Sequence, residues 1–504
     1  MAKRNGGIIG PSNVPTGQYG GTASGVWRLR DAFNYIKAGL WPVAGNYPVG
    51  NSLRFNSGSS DSLTRTPATT GTSRRIMTFS FWTKRSGFET TNAYRLFSTF
   101  YSGGNNQFWI RFADNSEGIN RMSIVSYDSG FSINLITTQV FTDPSAWYHF
   151  VIAFDTTQGT SSNRVKVYVN GSQITSFATS TYPSQNYDIQ WNVTQPNEIG
   201  ANAVSGNEFY NGYFSEINFI DGQALTPSSF GQTDSATGIW TPLPYTGTYG
   251  TNGFYLKFAN SAALGTDSSG NANTFTVNNL TSVDQSTDTP TNNFCTINPL
   301  FPQNDSLAFT NGNLQAVKPS GTGGAVYYGN FGVTAGKWYW EMKCNAVGGN
   351  DQWIGIGQMR TLANSNYPGD DPYSVAAGSG GEVRYNNVTV STYTMASWTA
   401  GDIIMVALDM DNSRVYWGKN GTWQDSGDPV TGTNPYTNAT IFDGNFIFPV
   451  GSLYQSGGDV AYNFGSPSFT IASGNADGAG YGNFEYAVPS GYYSLNTKNL
   501  ATFG

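Results

Sequence analysis

The stretch Gly401–Gly421, GDIIMVALDMDNSRVYWGKNG, limits what this chain can fold into more tightly than any other. Ile403, Met405 and Ala407, then Val415 and Trp417, supply apolar residues at alternate positions, the period that lines one face of a strand. Asp411-Asn412-Ser413 supplies turn residues between the two runs, and Asn420-Gly421 takes readily to the positive φ values of a hairpin reversal. Two more alternating strands lie upstream, at Gly336–Glu341 and Trp353–Gly357. The rest of the composition points the same way. Sixty-one Gly with many Ser, Thr and Asn provide turns, while 13 Trp, 30 Tyr and 32 Phe favour strands over helices. Charged residues are only 11%, but an aromatic content of 15% is not that of a disordered chain. The economical reading of 504 residues is therefore several β-sandwiches, each with an aromatic core.

Five blocks fall in order across this region: Trp340-Glu341, Gly355-Ile356-Gly357, Gly401-Asp402, Asp409–Asn412 and Lys419-Asn420-Gly421. Together they resemble the SPRY domain, a β-sandwich used for protein or ligand recognition. The blocks are turns and core faces, so the resemblance implies a fold more than a chemistry.

A second pattern precedes it. Met77–Trp82, Phe108–Phe112 and Arg121–Val125 alternate as strands. They are joined by Trp147-Tyr148-His149 running to Asp155, by Val169-Asn170-Gly171, and by Gly212–Phe219 before Ala224-Leu225-Thr226. This order resembles the laminin-G-like, concanavalin A-like jelly roll. The resemblance implies binding of carbohydrate or a glycan surface, in some members with calcium. The expected architecture is thus all-β: two antiparallel β-sandwiches, a jelly roll then a SPRY-like domain, with a small β connector and an extended N-terminal arm. The expected boundaries are an arm at 1–45, a jelly roll at 46–230, a connector at 231–304, a SPRY-like sandwich at 305–472 and an extended tail at 473–504. In the connector, Phe254–Phe258 reads as a strand with Phe275-Thr276-Val277 as its hairpin partner, and Gly474–Gly482 reads as flexible. Trp27–Ala38 is the one helix expected near the start, and Trp27, Phe33 and Trp41 are candidate anchoring residues of the arm.

Composition excludes several functions. A net charge of −7 leaves no electrostatic footprint for nucleic acid. No run of about 18 apolar residues is present for a membrane span, and Met1–Arg4 leads into Asn-Gly-Gly rather than the apolar core of a secretory signal. Cys295 and Cys344 alone build no disulfide framework, which suits folding in a reducing cytoplasm.

Catalysis is not expected. The single histidine, His149, sits mid-strand between aromatics, and no G-x-S-x-G elbow or phosphate-binding loop occurs. Glycoside hydrolysis needs two carboxylates at a set separation. Glu216 is followed by Asn218, with Asp221 a strand end away, and Glu341 stands alone. No cofactor is expected, with calcium kept open at Asp128, Asp155 and the Asp267–Asn271 turn. For ligand binding the candidates are Tyr367, Asp370, Asp371 and Tyr373 on one long polar-aromatic loop, with Arg384, Tyr385 and Trp423, because aromatic faces stack on sugar or peptide while nearby polar groups bind hydroxyls.

The leader from Gly7-Ile8-Ile9-Gly10-Pro11 to Trp41-Pro42, the Asp288–Phe294 motif (DTPTNNF) and the terminal Leu495–Leu500 (LNTKNL) together resemble virion proteins of marine tailed bacteriophages. That resemblance implies a tail fibre or surface adhesin made in the host cytoplasm and carried on the virion surface. The arm would dock on other virion proteins, the sandwich loops would bind host-surface glycan or protein, and several copies, three in many fibres, would assemble. The alternative is a capsid or tail decoration protein whose sandwiches bind neighbouring subunits.

Overall fold

The computed structural model of the chain describes residues 19, 29–38, 47–88, 92–100, 106–202, 208–301, 306–349, 351–359 and 367–504. Its described residues form two successive β-sandwiches, with a nine-residue helix Leu29–Lys37 before them and a short helix Thr497–Phe503 at the end. No described helix is long and apolar enough to cross a membrane.

The first sandwich pairs two eight-stranded sheets. One is centred on Ile76–Arg85, flanked by Trp147–Asp155 and Gly212–Asp221. The other is centred on Arg121–Asp128 and Asn106–Phe112. Alternation in Met77–Trp82 sends Phe79 and Phe81 inward, where they meet Phe97, Phe108, Phe150 and Trp191 at ring-centroid distances of 5.0 to 5.7 Å. Edge-to-face and offset rings fill such a space densely and add to the gain from burial.

The second sandwich has an eight-stranded sheet around Lys337–Ala346 and Ile403–Asp409, and a six-stranded sheet around Gln352–Gly357 and Phe448–Leu453. The Gly401–Gly421 hairpin forms as its turn residues dictate, with Ser413 at φ 55°, Asn420 at 49° and Gly421 at 83°. Its core face differs from the expected one. Ile404, Val406 and Leu408 join Val415 and Trp417 in the main core, whereas Met405 and Ala407 face the other way. The strand is apolar on both faces because both are covered, so period-2 alternation alone does not say which set is inside.

The cover is the C-terminal tail. Phe484 and Tyr492 pack on Tyr339, Met405 and Tyr416, and Tyr493–Ser494 pairs in parallel with Lys337–Ala346. The segment expected to be flexible is built around Asp477. Its carboxylate accepts hydrogen bonds from the backbone N–H of Ala479 and Tyr481, from the Ser494 backbone and hydroxyl, and from the Asn499 side-chain amide.

The connector also differs. Phe254–Leu256 pairs with Gly212–Asp221 and Thr276–Asn278 pairs with Ser62–Arg65, so the two runs join opposite sheets of the first sandwich instead of each other. Their side chains complete that core through Phe254, Leu256 and Phe275. A seam of hydrogen bonds then ties the sandwiches together. The Arg54 guanidinium donates to the Pro467 carbonyl at 3.3 Å, the hydroxyls of Ser286 and Ser466 meet at 2.7 Å, and Tyr213 donates to the Gly312 carbonyl at 2.9 Å.

Candidate functional site

The outer face of the six-stranded sheet carries the densest cluster of predicted site residues. Ile354 and Val383 point to the core, so Trp353 and Arg384 on the same strands point outward. Tyr367 lies over both. Its ring is 5.1 Å from Trp353 and 5.2 Å from Tyr454, and the Arg384 guanidinium sits 5.4 Å from its centroid. Burial, with Asp351 nearby, pushes the Tyr367 phenol up to about 12, so it remains a hydrogen-bond donor at neutral pH.

The loop that places Tyr367 is held by its own polar groups. Asp370 accepts from the Arg384 Nε at 2.7 Å, and Arg384 also reaches the Asn387 side chain. Asp371 accepts from the Tyr373 backbone N–H (2.6 Å) and the Ser374 hydroxyl (3.2 Å). Gly369, at φ +91°, leaves no room for a side chain: an added Cβ would lie 2.2 Å from the Arg384 carbonyl oxygen. The structure thus brings Tyr367, Asp370, Asp371, Tyr373 and Arg384 together. It separates the other two. Tyr385, one residue on, packs against the main core. Trp423 lies on the opposite sheet beside Tyr339 and Tyr486, so it cannot join the cluster. Tyr454 and Trp353 complete the site without having been expected there. Tyr454 follows the strand Phe448–Leu453, and nothing local in its sequence marks it as a neighbour of Tyr367.

Comparison with known proteins agrees with this architecture. Residues 57–230 match the concanavalin A-like lectin/glucanases superfamily of laminin-G type, and residues 337–465 match the SPRY domain. The chain carries a laminin-G-like domain and a SPRY domain. Among solved structures, the SPRY domain of human HERC1 is 21% identical, over 33% of this chain and 96% of that one, with a TM-score of 0.27. A human SPRY domain is 15% identical over 32% and 94% (TM-score 0.23), and the TRIM65 PSpry domain 14% identical over 34% and 91% (TM-score 0.26). A search of curated proteins found no match. Domains of both kinds are typically binding modules.

In the laminin-G-like domain, the outer face of the Gly212–Asp221 strand is closed over. Glu216 sits in a β-bulge at φ 49° and is 6% exposed. Tyr255 donates to it at 2.7 Å, and burial raises its carboxyl to about 7. Asn218 accepts from Tyr249, and Asp221 is filled by the backbone N–H groups of Thr72, Ser73 and Asn252 and the Asn192 amide. These groups brace the bulge and the connector around the buried Glu216. A polar groove of about 220 Å³ does open further along the sheet, between Asp155, Gln158, Lys166, Tyr168 and the Leu225-Thr226 turn.

His149 is structural in its contacts. Its ring lies between Trp82 and Trp240, Trp240 Nε1 donates to Nδ1 at 2.9 Å, and Nε2 therefore carries the proton and donates to the Ser80 hydroxyl. Burial pulls its pKa down to about 3. Two of the carboxylates considered for calcium accept hydrogen bonds within their own turns. Asp267 takes the N–H groups of Tyr255, Ser269 and Asn273 and the Ser269 hydroxyl, and Asp155 takes Thr157 and Gln158. Among the described residues, no three His, Cys, Asp or Glu side chains converge as a metal-ligand group.

The expected anchoring residues are divided. Phe33 lies on the helix Leu29–Lys37 and is 61% exposed, with Ile36 exposed on the same helix. Trp27 and Trp41 lie outside the described residues.

Proposed function

We propose that this chain is a non-catalytic binding protein of a tailed-bacteriophage virion, of tail-fibre or surface-adhesin type, that engages host-surface glycan or protein through its SPRY domain. The observation that carries the reading is the Tyr367 cluster. An aromatic face packed on Trp353 and Tyr454 stands beside a guanidinium–carboxylate pair, the combination that stacks on a sugar or peptide plane and hydrogen-bonds its polar groups. The buried, covered position of Glu216 supports binding without hydrolysis. The N-terminal leader and the Asp288–Phe294 and Leu495–Leu500 motifs support a place on the virion, with Phe33 among the residues that dock the arm. Display in several copies would turn a weak single contact into firm adhesion.

A decoration role, in which the sandwiches hold neighbouring virion subunits, is the second reading. It is favoured by Asp370 and Asp371, whose carboxylates already serve their own loop. A glycan array and whole-host pull-down with the full chain separates the two. Saturable binding lost in Tyr367→Ala and Arg384→Ala supports the adhesin. Binding to purified particles, with none to host or glycan, supports the decoration role. Release of sugar from an envelope polysaccharide would overturn the non-catalytic reading.

A further inference from the structure

Lys84 is the penultimate residue of the strand Ile76–Arg85 and is 1% exposed, a burial that lysine seldom tolerates unpaired. Its Nζ donates to Asp288 Oδ2 at 2.8 Å, to Asn293 Oδ1 at 2.7 Å and to the Phe294 carbonyl at 3.2 Å. Asp288, 2% exposed, is held from its other oxygen by Trp147 Nε1 at 3.0 Å. The Asn293 amide is held too, its Nδ2 donating to the Ser145 carbonyl. Trp82, Trp147 and Tyr213 wall the group off, with Lys84 Nζ 5.7 Å from the Tyr213 ring. An amine and a carboxylate are thus buried together, with a primary amide fixed at the edge of the same pocket. The hydrogen bond from Nζ to Oδ1 sets the amine directly beside the amide carbon, with the Asp288 carboxylate on the same nitrogen.

We propose that Lys84 and Asn293 join through their side chains in an intramolecular isopeptide bond, with Asp288 moving the proton. Since a C=O bond is about 1.23 Å long, Nζ lies within about 4 Å of the Asn293 Cγ, and a small swing off Oδ1 brings it to attack distance. In the first step the ammonium passes a proton to the Asp288 carboxylate it already touches, which frees the Nζ lone pair. Nζ then adds to Cγ, the Cγ–Nδ2 bond breaks, and Nζ gives up its second proton. Both protons end on the departing nitrogen, which leaves as ammonium, and Asp288 is again a carboxylate. No oxidant or cofactor is consumed. The product ties a strand of the laminin-G-like domain to the DTPTNNF segment, 209 residues on in sequence, where the SPRY domain begins its seam. A cross-link of that span restricts the unfolded chain as a long-loop disulfide does, without needing an oxidising compartment.

The test is the intact mass of the denatured full-length chain, followed by peptide mapping. The expected result is a mass about 17 Da below that of the sequence, the ammonia lost, and a branched peptide joining the Lys84 and Asn293 fragments. Lys84→Arg, which keeps the cation beside Asp288, Asp288→Ala, and Asn293→Ala are each expected at full sequence mass. An Asn-Gly succinimide loses the same mass, but mild base opens it and it gives no branched peptide. Full sequence mass in the folded wild-type chain overturns the proposal. So does a loss that persists in Lys84→Arg.

Discussion

His149 makes the stability of this protein depend on pH in a way that can be isolated, because it is the chain's one histidine. The ring is buried between Trp82 and Trp240, its two nitrogens meet Ser80 and Trp240, and no charged group is among these partners. Its pKa falls from 6.5 unfolded to about 3 folded, with burial the cause. A basic group with a depressed folded pKa leaves stability intact above 6.5, and that stability is lost as pH falls toward 3, since only the unfolded chain takes up the proton. At pH 5 the loss is set almost wholly by the unfolded pKa and comes to about 2 kcal/mol relative to pH 7.5. Two carboxyls work in the opposite sense. Glu216 is raised to about 7 and Asp61 to about 6, both chiefly by burial, so each stabilises most below its unfolded value and loses that contribution as pH rises through its folded one. The informative quantity is therefore a double difference. Urea unfolding of the wild type and of His149→Gln, followed by tryptophan fluorescence at pH 7.5 and 5.0, cancels the carboxyl contributions. The wild type should lose about 2 kcal/mol more than the variant between the two pH values. Equal losses would mean that His149 is protonated in the folded protein, and would refute the assigned tautomer and burial argument together.

Three further outcomes follow from the packing. Trp417→Ala, which empties a fully buried site and removes the hydrogen bond to the Ile354 carbonyl, should cost about 3–5 kcal/mol, read as a fall in the unfolding midpoint. Asp221→Ala strands the buried Asn252 N–H, takes one acceptor from the Asn192 amide and frees the part-buried N–H groups of Thr72 and Ser73, and should destabilise the laminin-G-like domain by about 1–3 kcal/mol, read by denaturant titration. Arg384→Ala breaks a partly exposed ion pair with Asp370 and should cost no more than about 1 kcal/mol, so its thermal midpoint stays near wild type while ligand binding falls.

The candidate site was legible where chemistry is local and hidden where it is not. Asp370 and Asp371 stand out because a loop rich in Tyr, Pro, Gly and Asp cannot be a core strand, and the structure sets Asp370 against Arg384. Tyr454 is brought to Tyr367 by pairing of Phe448–Leu453 with Gln352–Gly357, a long-range contact with no mark in either segment. Trp423 looked equivalent to the site aromatics by composition, yet the Lys419–Thr422 pairing commits it to the other sheet. The same limit applies to the connector. Phe254–Leu256 and Thr276–Asn278 each read as strands, but two strands close in sequence pair with each other only if no better edges are free, and here both sheets offered one.

By itself, the sequence determined the β class, the two sandwiches, most strand centres and the turns. Alternation and the positive-φ needs of Asn-Gly reversals act within a few residues and are set by sterics of the backbone. Only the tertiary structure decided which face of Ile403–Asp409 became the core, how the tail came to cover the other, and how Asp288 and Asn293 came to meet the buried Lys84. Those outcomes depend on excluding water between segments hundreds of residues apart, and that exclusion exists only once the whole chain has closed on itself.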